Sequence, residues 1–166
     1  ERRLSEGALS DSDKAGLHHA LGGLREARLG DADRAFDEYV AALTLVPQHE
    51  PTVASLEALM KEQAHAARSA EILEGVYLAR HEWRKVMSTL EARLGASQDP
   101  DERRQLLRRL SKLEEEQSDD LKAALDVTAR LLAEDVTDES TWAELERLAR
   151  AANAERRLAD VYASEL

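Results

Sequence analysis

Residues 31–60 of this 166-residue chain align without gaps onto residues 120–149, at an offset of 89. Asp31/Asp120, Ala35/Ala124, Asp37/Asp126, Leu43/Leu132, Glu50/Glu139, Thr52/Thr141, Leu56/Leu145, Glu57/Glu146 and Leu59/Leu148 are identical pairs. Ala70/Ala159, Glu71/Asp160 and Ile72/Val161 carry the match further. A common helical period produces some such coincidences. An unbroken match through two apolar stripes and the loop between them points to an internal repeat. A unit that cannot bury its apolar face alone must stack on its neighbours, which removes most fold classes from consideration.

The stripes are helical, with apolar residues spaced by three and four, and no segment alternates with period two long enough for a strand. Residues 12–29 follow the caps Ser10 to Asp13. Residues 32–45 set Ala35, Tyr39, Ala42, Leu43 and Val46 on one face and stop at Pro47, which lacks a donor and disfavours helix before it. Pro51-Thr52 opens a helix facing inward with Val53, Leu56, Leu59 and Met60. Residues 66–80 group Ala70, Leu73, Val76 and Tyr77, and residues 82–94 group Trp83, Val86, Met87 and Leu90. Asp99-Pro100 starts the stripe Leu106, Leu107, Leu110 and Leu113. Asp119 or Asp120 caps residues 121–133, which bury Ala124, Leu125, Leu131 and Leu132. Asp138 precedes Trp142, Leu145 and Leu148, and the last stripe is Leu158, Val161, Tyr162 and Leu166. This makes eight or nine short helices on short loops, so chain neighbours run antiparallel. Residues 52–79 admit one long helix or two, and the reading favours two with a turn near 63–66. Five helices between Asp31 and Asp120 then give the two copies opposite parity in a simple alternating array.

From Gly23 to Pro47 the chain resembles the tetratricopeptide repeat, a helix pair of about 34 residues. Gly23, Gly30, Ala35, Tyr39, Ala42 and Pro47 fall in that family's register, and so do Trp142, Leu145 and Tyr162 later. Val136 stands where the family has proline and Leu131 where it has a second small residue; between about 51 and 117 the likeness is faint. The resemblance implies an all-α, antiparallel helix-pair solenoid with right-handed superhelical twist, spanning residues 1–166 as one repeat domain. Family members of the carboxylate-clamp type use lysines, arginines and asparagines to hold acidic tails. This chain has one asparagine, Asn153, so that clamp is not expected.

The net charge of −11 is spread over both halves, the wrong sign for a general nucleic-acid or anionic-membrane binder. No apolar run is long enough to cross a bilayer. With no cysteine, disulfides and thiolate metal sites are excluded and the compartment stays open. A first residue Glu1 and an end at Glu165-Leu166 within a helical pattern suggest a piece of a longer protein, and the Ala/Arg/Leu-rich composition a bacterial one.

No phosphate loop, dinucleotide fingerprint or zinc-protease helix is present. His18, His19, His49, His65 and His81 include no i, i+4 pair and read as surface residues. Asp11-Ser12-Asp13 begins like a calcium loop, but Ala15 and Gly22 occupy ligand positions, so helix capping is the better reading. Trp83 and Trp142 read as packing residues. The dense basic cluster is Arg103, Arg104, Arg108 and Arg109. Arg104 and Arg108 of this cluster form one helical stripe with Lys112, either solvated and paired with Asp101, Glu102, Glu115 and Glu116 or an anchor for an acidic peptide. Arg104, Arg108 and Lys112 are therefore the candidate partner-binding residues, with no catalytic, cofactor or metal residue expected. The expected role is a non-enzymatic protein–protein interaction scaffold with no cofactor. The alternatives are a self-association module, giving a homo-oligomer, and the regulatory arm of an enzyme.

Overall fold

The structure, a computed structural model, describes residues 9–165, and all regular structure among them is helical. Among the described residues nine α-helices follow in order: α1 Asp11–Leu24, α2 Ala32–Leu45, α3 Glu50–Leu59, α4 Ala66–Ala79, α5 Trp83–Ala96, α6 Pro100–Glu116, α7 Leu121–Glu134, α8 Glu139–Ala151 and α9 Glu155–Glu165. Residues 52–79 thus form parts of two helices, with the reversal at 60–65. The expected inward position of Leu166 lies outside the described residues.

Local chemistry sets the boundaries. Ser10 and Asp13 form a reciprocal capping box at the start of α1, the capping role expected for the aspartate. Asp31, Asp99, Asp120 and Asp138 each accept an amide of their helix's first turn, and Pro100 follows Asp99 at a position that needs no donor. At its far end α1 widens into a single π-turn, Arg25–Leu29, closed by Gly30 at φ 61°. The offset of 89 reaches this corner too: Asp119 sits at φ 52°, and Asp31 donates to the Arg25 carbonyl as Asp120 donates to that of Glu114.

The same register runs through α1–α4 and α6–α9. Arg68 on α4 holds Asp37 on α2 at 3.3 Å, and Arg157 on α9 holds Asp126 on α7 at 2.7 Å. The period therefore contains five helices, with α5 unmatched among the described residues.

The chain divides into two compact units, residues 1–76 and 77–166, with the division inside α4. In the first, α1 packs on α2, and α3 touches both. Its core holds Ala15, Ala35, Phe36, Tyr39, Ala42, Leu43, Val53, Leu56, Leu59, Ala70 and Leu73. In the second, α5, α6, α7, α8 and α9 pack each on the next. One apolar cluster joins Met87, Leu90 and Leu94 of α5 to Leu106, Leu107 and Leu110 of α6 and Val127 and Leu131 of α7. Another joins Ala124, Leu125 and Leu132 to Leu145, Leu148, Ala149 and Val161.

Of the histidines expected at the surface, His81 is exposed and the other four are partly exposed. His18, His19, His49 and His65 are half-buried, because short helices on short loops bring these positions against a neighbour. His18 Nδ1 lies 2.6 Å from Glu38 on α2, His65 meets the Phe36 ring edge-on, and His19 packs against both Tyr39 and His49. Trp142 stacks on Tyr162 with ring centroids 4.8 Å apart and donates its indole N–H to the Val136 carbonyl.

Candidate partner-binding surface

The basic stripe of α6 does not act as one group. Arg104 pairs with Asp101 one turn earlier, Arg108 reaches Asp138 at the cap of α8 at 3.1 Å, and Lys112 lies 3.7 Å from Glu116. Two of those acceptors, Asp101 and Glu116, lie on α6 itself; Asp138 adds an interhelical tie. Glu102 and Glu115, also expected as partners of the stripe, pair instead with Arg93 and Arg147.

Arg108 and Lys112 border a cleft of about 360 Å³ among α6, α7 and α8; Arg104 is not part of its lining. The floor is polar inside an otherwise apolar layer. Ser111 and Thr128 are buried and 2.8 Å apart, and the Thr128 hydroxyl donates to the Ala124 carbonyl at 2.9 Å. Such hydroxyls are tolerated in a core because each has a partner. Leu131 supplies the apolar part, and Ser140 and Thr141 close the α8 side, both hydroxyls donating to Asp138.

The rim carries both signs. Arg147 bridges Glu115 at 2.6 Å and Glu144 at 2.7 and 2.8 Å. These bonds raise the guanidinium pKa above its ordinary value, and the Arg147 bond lowers that of Glu144. The Ser140 and Thr141 hydroxyls hold Asp138 well below the usual carboxylate range. Among the described residues no group of three or more metal-ligating side chains occurs, and no helix is long and apolar enough to cross a membrane.

The repeat register explains why this cleft is open. Thr128 stands at the position of Tyr39, and Ser111 at that of Gly22. In the first unit the Tyr39 ring, 1% exposed, fills the equivalent space and donates its hydroxyl to Glu26, the counterpart of Glu115. Gly22 is required there: a Cβ on it would stand 2.5 Å from Tyr39 Cε1. The second unit trades a glycine–tyrosine pair for a serine–threonine pair, losing a ring and gaining a recess. Sequence reasoning found Arg108 and Lys112 as helical-stripe residues but missed the recess. The available signal was the aligned pair Tyr39/Thr128, a large residue facing a small one in an otherwise matching register.

No family model and no curated protein matches this chain.

Proposed function

We propose that the chain is a non-catalytic protein-interaction scaffold built of tetratricopeptide-like repeats, and that the α6–α8 cleft takes a side chain of the bound polypeptide. The observation that carries this reading is the open recess where the aligned position of the first unit is plugged by Tyr39. A recess with hydroxyls at its base and an arginine, a lysine and carboxylates interspersed around its rim suits a peptide segment that presents a polar side chain between charged neighbours. Helix pairs stacked on one another supply a rigid support for such a site.

The test refills the recess. Ser111→Gly with Thr128→Tyr recreates the pair found in the first unit. Peptides selected from a displayed random library against the wild-type chain are expected to bind the refilled double variant at least tenfold more weakly, with unchanged helical circular dichroism. Arg108→Glu should weaken the same peptides. Undiminished affinity for the refilled variant would reject the cleft as the site.

A further inference from the structure

α1 carries a row of leucines that nothing among the described residues covers: Leu17 is 58% exposed, Leu21 38% and Leu24 47%. The spacing, i, i+4 and i+7, puts them on one helical face, beside a shallow recess lined by Lys14, Leu17, His18 and Leu21. Isolated exposed leucines are ordinary, but an aligned apolar row is not.

The 89-residue register shows what covers this row elsewhere. Leu17, Leu21 and Leu24 correspond to Leu106, Leu110 and Leu113 of α6. Leu106 is 5% exposed and Leu110 2%, in one cluster with Met87, Leu90 and Leu94 of α5, and Leu113 packs against that cluster. The polar ends correspond as well. Arg103 of α6 donates to the carbonyls of Leu94 and Ser97, where α5 ends, and Glu102 accepts from Arg93 and Ser97. The α1 counterparts are Lys14, a donor that pairs with Asp11 in the uncovered helix, and Asp13, an acceptor that holds Ser10 there.

We infer that the Leu17–Leu21–Leu24 face of α1 is the seat of an amphipathic helix of the α5 kind. Its occupant carries Met or Leu at i, i+3 and i+7 and an arginine just before the last of them. It lies antiparallel to α1 with its C-terminal carbonyls at Lys14, because α5 meets α6 in that sense. This face is separate from the α6–α8 cleft and stands or falls independently of the cleft's role.

The test supplies the helix in cis, where effective concentration offsets the weak helicity of a short free peptide. In the full chain, residues 1–9 are replaced by a copy of residues 82–98, so that Ser10 takes the place of Asp99. Amide exchange in α1 is expected to slow at least tenfold, and Leu21→Glu in the grafted chain to return it to the ungrafted rate. Leu21→Glu in the ungrafted chain reports any cost to α1 alone. Unchanged α1 exchange in the grafted chain overturns the inference. So does an ungrafted chain that sediments as a dimer and becomes monomeric with Leu21→Glu, since a second copy would then own the face.

Discussion

At the residue scale the most constrained contact is Gly22 against Tyr39. Alanine at a helical glycine normally gains about 1 kcal/mol, but here the added methyl meets the flat of a buried ring rather than a movable chain end. Overpacking of this sort costs about 1–3 kcal/mol, so Gly22→Ala should be net destabilising in urea unfolding. Combined with Tyr39→Thr, the serine–threonine arrangement of the second unit is approximated. The double variant should then be more stable than the sum of the single changes allows, by a coupling above about 0.5 kcal/mol. Strict additivity would show that the ring does not rest on Gly22. The neighbouring His19 makes a separate point. Its Nδ1 is buried without a hydrogen-bond partner, and burial followed by the proximity of His49 lowers its pKa. The unfolded chain therefore takes up the proton first. Stability from neutral His19 is complete above about pH 6.5 and is lost as the pH falls below it.

At the element scale the two left-handed corners that match in the repeat, Gly30 and Asp119, are the informative comparison. A left-handed conformation costs an ordinary L-residue about 1–2 kcal/mol and glycine almost nothing. Gly30 meets this demand at the end of α1, whereas Asp119 bears it after α6. Asp119→Gly should raise the midpoint of chemical unfolding and Gly30→Ala should lower it, each by a stability change of about 1 kcal/mol. A fall with Asp119→Gly would mean that the aspartate side chain earns its place by a local contact. The helices themselves were legible in the sequence because each stripe obeys a single period: Leu56, Leu90, Leu107, Leu132, Leu145 and Leu148 all lie in the core as the spacing requires. Less was legible where two elements must be known at once. Periodicity says that Leu17, Leu21 and Leu24 share a face, but not whether a neighbour covers it. It says that Arg108 and Lys112 share a stripe, but not that Ser111 and Thr128 leave space beneath them. Half-burial of His18 and His19 was invisible for the same reason, since it depends on Glu38, Tyr39 and His49 arriving from α2 and the start of α3.

At the scale of the whole molecule, titrating groups in the two units report on different pH ranges. Five carboxylates of the second unit are held low: Glu102 by Ser97 and Arg93, Glu134 by Arg103, Asp135 by Thr137, and Asp138 and Glu144 as described. Their contribution is present above the ordinary carboxylate range and is lost only as the pH falls through and below it. His19, in the first unit, acts at higher pH. Both tryptophans, Trp83 and Trp142, belong to the second unit, so intrinsic fluorescence follows that unit while circular dichroism follows both. Between pH 7.5 and 5.5 the thermal midpoint by circular dichroism should fall more than the midpoint by fluorescence, and His19→Gln should remove the difference. Equal shifts by both probes, unaffected by His19→Gln, would contradict this assignment.

The matching corners at Gly30 and Asp119 bear on how such a gene can change length. Unequal crossing-over between their codons would remove or duplicate a block of 89 residues. Every junction so formed would still join a left-handed corner to an aspartate cap. The block holds five helices rather than a pair, so a recombinant chain would grow or shrink in steps of five, with an α5-type helix supplied each time to cover the leucine row of the helix that follows.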